Sequence, residues 1–176
     1  MARLHFEDEA ELFAYKAWET LQLEAPVDLN RVAARLGIEV IEREFVEEVD
    51  GVYLRIPGAP PIIGINKCYL KPLSRRRFTL AHEIGHHLLG HRVASSSKLF
   101  FFDAAGTRRT MMERACDRFA AFLLMPKALM EQYYQELSHN SEQRINIMAD
   151  RFGVSAWALK RRLSELGLPV RTRRRT

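Results

Sequence analysis

The sequence predicts an α+β fold, with a small, mostly antiparallel three-stranded sheet set among helices. Three observations carry this. Strand-like runs cluster at 38–45, 51–56 and 62–65. Apolar residues recur at helical spacing before and after that cluster. Capping residues, glycines and prolines punctuate the helical stretches where starts and stops are needed.

Residues 8–21 place Leu12, Tyr15, Trp18 and Leu21 on one side at helical spacing, with Ala14 nearby. Glu24-Ala25-Pro26 breaks that helix, Asp28 suits an N-cap for 29–36, and Gly37 suits its stop. Asp50-Gly51 between the first two strand runs is a hairpin signal. Pro57-Gly58-Ala59-Pro60-Pro61 is a loop into the third. Ser74 suits the cap of a helix over 75–89 that stops at Gly90. Residues 93–110 read as a long connection containing Leu99-Phe100-Phe101-Phe102, which is either a contact surface or part of the core. Helices follow over 111–125, 127–137, 141–152 and 155–166. A main domain over 1–137, a helical, helix-turn-helix-like segment over 138–168 and a basic tail over 169–176 make up the expected organisation.

With 176 residues and 47% hydrophobic content, one compact domain can bury a real core. No run reaches the ~18 to 20 apolar residues of a membrane helix. The N-terminus turns acidic at Glu7-Asp8, unlike a secretory signal. Two cysteines, Cys68 and Cys116, are too few for a disulfide framework and suit a reducing cytoplasm. The net charge of +5 gathers in Arg75-Arg76-Arg77 and in the arginines of 171–175. Such a tail is either a solvated terminus or a weak nucleic-acid contact.

The central motif is His82-Glu83-Ile84-Gly85-His86. Residues four apart on a helix differ by only ~40° in direction, so both imidazoles project from one face and can share a metal ion. Glu83 then stands where it can take a proton from a water that zinc has made acidic, lowering its pKa toward ~7. A catalytic zinc site also needs a third protein ligand. Glu113 is the best candidate, with Asp117 four residues on to accept the free ring N–H of a ligating histidine. His91 is the rival, but on a continued helix it points ~140° from His86 and suits a helix C-terminus instead. His87 turns away from both. Tyr53, Tyr69, His91, Arg114, Tyr133 and Tyr134 are possible donors to a developing oxyanion, and spacing does not choose among them.

Arg76 to Leu89 resembles the signature of the ImmA/IrrE metallopeptidases, and Met112-Glu113 through Asp117 to Pro126 looks like their second block. Looser likeness extends over roughly 10–168. The resemblance implies a gluzincin-like two-helix zinc site with His82, His86 and Glu113 as ligands and Glu83 as base. It further implies an endopeptidase that cleaves a cognate helix-turn-helix repressor, derepressing stress-response or mobile-element genes. Asp117 stands where that family often has Asn, and serves the same role. The radiation-response members carry a further C-terminal sensor domain, for which this sequence leaves no room.

Met148 to Lys160 has helix-turn-helix grammar, with a turn at Gly153 and a cap at Ser155. The pair packs on the peptidase or docks the repressor substrate; the other reading is that it contacts DNA. The competing class is therefore a DNA-binding regulator with a structural or inactive zinc site. Glu83 argues against it, because a structural site needs no base and is closed by a fourth protein ligand.

Overall fold

The computed structural model describes residues 6–68, 70–90, 99–104, 110–137 and 141–170. Helices α1 (Phe6–Leu21) and α2 (Leu29–Arg35) precede strands β1 (Glu39–Arg43), β2 (Val49–Arg55) and β3 (Ile62–Asn66). Then come α3 (Leu73–Leu89), β4 (Leu99–Ala104), α4 (Met111–Leu124), α5 (Lys127–Glu136), α6 (Ser141–Phe152) and α7 (Ala156–Glu165). No helix among the described residues is long and apolar enough to cross a membrane.

The α+β class holds, but the sheet is mixed and has a fourth strand. Its order is β1-β3-β2-β4. β3 runs parallel to β1 and antiparallel to β2, and β4 joins β2 antiparallel at the edge. The expected Asp50-Gly51 hairpin is therefore absent: β3 lies between β1 and β2. Asn66, fully buried at the end of β3, holds the connection that spans this gap. Its Oδ1 accepts from the Phe45 and Cys68 amides at 3.2 and 3.0 Å. Its Nδ2 donates to the Val46 and Val49 carbonyls at 3.0 and 2.7 Å. One buried amide thus satisfies backbone groups that would otherwise be lost to the ladder.

Asp50 has a different task from a turn. Its carboxylate accepts from Lys71 Nζ at 2.7 Å and from Arg75, tying β2 to the entrance of α3. Burial pushes this carboxyl up, but the Arg75 and Lys71 bonds win and hold it below the usual carboxylate range. Arg77 is also absorbed structurally, donating to the Gly153 and Val27 carbonyls at 3.1 and 2.9 Å. Arg75 and Arg77 thus each tie α3 to a distant part of the chain. Ser74 does not cap α3; that place is taken by Pro72, without a side-chain bond.

The buried residues of α1 are Ala10, Ala14 and Ala17; of the expected face, Trp18 and Leu21 pack half-buried against the core and Leu12 and Tyr15 are exposed. Tyr15 is 60% exposed. Small side chains let α1 lie close against α4, and Trp18 Nε1 donates to the Leu123 carbonyl at 2.8 Å across that seam. One core runs from α1 through β2 and β3, α3 and α4 to Phe152, Leu159 and Leu163 of the C-terminal helices.

Candidate metal centre

α3 and α4 cross at Gly85. A β-carbon there would meet Phe119 Cδ1 at 3.1 Å and Cys116 Cα at 3.3 Å, so glycine lets the two helices approach closely. That approach brings the face of α3 bearing His82 and His86 against the first turns of α4. Thr110 caps α4, its Oγ1 accepting from the Glu113 amide at 3.2 Å. The cap fixes Glu113 in the first helical turn, where the helix dipole favours a carboxylate.

His82 Nε2 lies 3.1 Å from His86 Nε2 and 3.1 Å from Glu113 Oε2. His86 Nε2 lies 3.4 Å from Glu113 Oε1. For ligands ~2.0–2.1 Å from a tetrahedral zinc, the ligand–ligand edge is about 3.4 Å. The two ring nitrogens and the two oxygens of this one carboxylate therefore have spacings close to the edge of such a site. His82 Nδ1 is 3.0 Å from Asp117 Oδ1. Its N–H donates to that carboxylate, which leaves the Nε2 lone pair facing the other two groups. Electron pairs this close repel one another unless a cation or proton lies among them, so the donor set fits a divalent metal. When a proton instead of a metal lies among these groups, the His82 and His86 imidazoles donate to Glu113 and hold its carboxyl well below the usual range, in its anionic form.

Cys116 was not singled out as a ligand by the sequence reading, yet its sulfur lies within 4.8 Å of the histidine ligand atoms. Burial and the nearby Glu113 and Glu83 charges push its thiol far up in the absence of a metal. Its spacing on α4 could have placed it near the site, one turn beyond Met112-Glu113; its residue type argued for packing.

Glu83 is fully buried, 0% exposed, against β2. A β-carbon on Gly51 would sit 2.7 Å from Glu83 Oε1 and 2.5 Å from Thr79 Cγ2. Gly51 is thus the floor under this carboxylate, a role that no local signal announces. Gly51→Ala is expected to displace Glu83 and lower peptide hydrolysis about 10- to 100-fold, with metal content unchanged. Steady-state kinetics alongside metal analysis checks this; parental rates would show that the carboxylate has room to spare.

Tyr53, also fully buried on β2, stacks on His86 with ring centroids 6.5 Å apart, and its hydroxyl lies 3.0 Å from His87 Nδ1. Burial pushes the Tyr53 hydroxyl up and the His87 imidazole down, so a neutral phenol donates to a neutral ring. Tyr53 therefore supports the histidine helix from beneath. Tyr134 donates to the Pro169 carbonyl and Tyr133 packs on Phe152, which engages both elsewhere. Arg114 lines a groove beside Asp117. Tyr69, the rival ligand His91 and the basic tail 171–176 lie outside the described residues.

At the C-terminal pair, Ser155 caps α7 as expected, accepting from the Ala158 amide at 3.1 Å. Arg162 Nε donates to the Met125 carbonyl at 3.2 Å and, with the Arg77–Gly153 bond, seats the pair on α3 and α4.

A comparison with curated proteins finds no match. Residues 33–164, three quarters of the chain, match the family profile of peptidase M78, described as the IrrE N-terminal-like domain. That span takes in both faces of the candidate metal centre and the C-terminal helices packed beside it, and the chain belongs to this family of metallopeptidases.

Proposed function

We propose that the chain is a zinc-dependent endopeptidase in which His82, His86 and Glu113 hold the metal, Glu83 is the general base, and the substrate is a helix-turn-helix transcriptional repressor. One observation carries the catalytic part: two imidazole nitrogens and one carboxylate converge at 3.1–3.4 Å, with the fully buried Glu83 next to His82 in the chain. When bound, zinc supplies Lewis acidity to the attacking water and the scissile carbonyl. Glu83 takes the proton of that water and returns it to the departing amine nitrogen. Its burial against Gly51 and Thr79 keeps bulk water from competing for the carboxylate. Asp117 fixes the tautomer and orientation of the His82 ring.

The substrate class rests on the likeness of 76–89 and 112–126 to the repressor-cleaving peptidases. A transcriptional repressor as substrate places the reaction in the cytoplasm. The test mixes zinc-loaded protein with helix-turn-helix repressors encoded beside its gene, with the Glu83→Gln chain in parallel. One discrete cleavage, absent from the Glu83→Gln sample, is expected. Intact repressors alongside cleavage of unrelated polypeptides would leave a metallopeptidase but reject this substrate.

A further inference from the structure

A groove of about 940 Å³ opens between the entrance of α3, the outer face of α4 and α7. Six of its lining residues are lysine or arginine and three are acidic. The acids are already engaged. Asp50 holds Lys71 and Arg75, Asp117 holds His82, and Glu165 holds Arg161 and Arg162. By count the lining is cationic, and through Asp117 the groove reaches the candidate metal centre.

Phe122 forms part of its floor and carries two guanidinium groups. The Arg162 Cζ is 4.2 Å from the ring centroid and the Arg118 Cζ 5.2 Å. Arg162 is only 4% exposed. Its Nε and Nη1 are used, by the Met125 carbonyl and Glu165, but its buried Nη2 has no hydrogen-bond partner among the described residues. A buried donor left unmade is costly, and two neighbouring guanidinium groups repel. A carboxylate at Nη2 relieves both penalties through a single charge-assisted hydrogen bond. Trp157, 70% exposed, stands in the same lining with Arg161 5.9 Å from its ring.

We propose that this groove recognises an acidic segment of the polypeptide substrate, with Arg162 Nη2 as the carboxylate anchor and Trp157 as an apolar contact for a neighbouring side chain. The inference rests on the reading of the chain as a peptidase acting on a protein. A nucleic acid fits less well. The donor lies at a buried floor, and Arg161 of α7 shares the groove with Leu70 to Arg75 instead of standing on an open convex surface. A single extended side chain can descend into such a groove; the backbone of a duplex cannot follow it.

The test uses the full chain carrying Glu83→Gln, so that no peptide is consumed. Fluorescence anisotropy is read with a fluorescein-labelled dodecapeptide of three Glu-Ala-Leu-Ala repeats and with its Gln counterpart. The Glu peptide is expected to bind at least about tenfold tighter, the scale of one charge-assisted hydrogen bond, and to weaken as salt rises. Arg162→Gln should abolish most of that preference. Should Arg162→Gln fail to fold by circular dichroism, Arg161→Glu and Trp157→Ala, both at exposed positions, carry the same expectation. Equal binding of the two peptides, or a preference that survives these substitutions, overturns the proposal. So does labelled duplex DNA that displaces the Glu peptide and loses binding with the same variants. Binding is measured without turnover, so a chain that proves not to hydrolyse peptides would still return a clear result here. Conversely, cleavage indifferent to acidic residues would sink the groove assignment alone.

Discussion

Glu83→Gln is expected to lower peptide hydrolysis by about 10²- to 10⁴-fold while metal content stays at the parental level. The amide keeps the volume of the carboxylate, which matters because the side chain is fully enclosed above Gly51. It removes the basicity needed to take a proton from water. The substitution is therefore a test of chemistry more than of packing, and thermal unfolding should move little by comparison. Single-turnover cleavage measured with metal analysis separates the outcomes. A Glu83→Gln chain that cleaves at the parental rate would remove the general base from the mechanism. One that loses its metal would instead assign Glu83 to the ligand set.

Glu113→Ala is expected to have the second large effect, a loss of more than ~100-fold in metal affinity with hydrolysis lost alongside. The basis for that floor is the 10- to 100-fold typical of removing a group that merely supports a ligand. Asp117→Ala, which removes only the acceptor of the His82 N–H, should fall within that smaller range. The ordering of the two variants is the informative quantity. Competition against a chelator of known affinity reads it directly. Cys116→Ser completes the comparison, because the thiol also lies near both histidines. Metal affinity should be close to parental in Cys116→Ser. If affinity collapses in Cys116→Ser and persists in Glu113→Ala, the third ligand is sulfur and the proposed set is wrong.

Much of this centre was legible because two of its parts are local. His82, Glu83 and His86 are brought to one region by helical repeat alone, and Glu113 and Asp117 share a face by the same rule. The Asp28 and Ser155 caps are equally local, and the structure places both where the sequence reading did. The α1 face was legible in part. Spacing placed Leu12, Tyr15, Trp18 and Leu21 on one side with Ala14 nearby; Ala14, Trp18 and Leu21 pack inward, but close helix packing selected the small residues Ala10 and Ala17 over Leu12 and Tyr15. The Leu99–Ala104 strand was hidden inside an apparent loop, since an edge strand is defined by the partner it finds, here β2.

The helices, the spacing of the histidines and the acidic pair, and the α+β class are all local properties, because each follows from periodicity over a few turns. Long-range packing sets the rest: β3 enters between β1 and β2, Gly85 lets α3 meet α4, and Gly51 lies beneath Glu83. The same packing brings Arg162 and Arg118 onto one Phe122 ring. These depend on contacts between residues tens of positions apart, and their closeness is set by packing of the whole core, which no local repeat encodes.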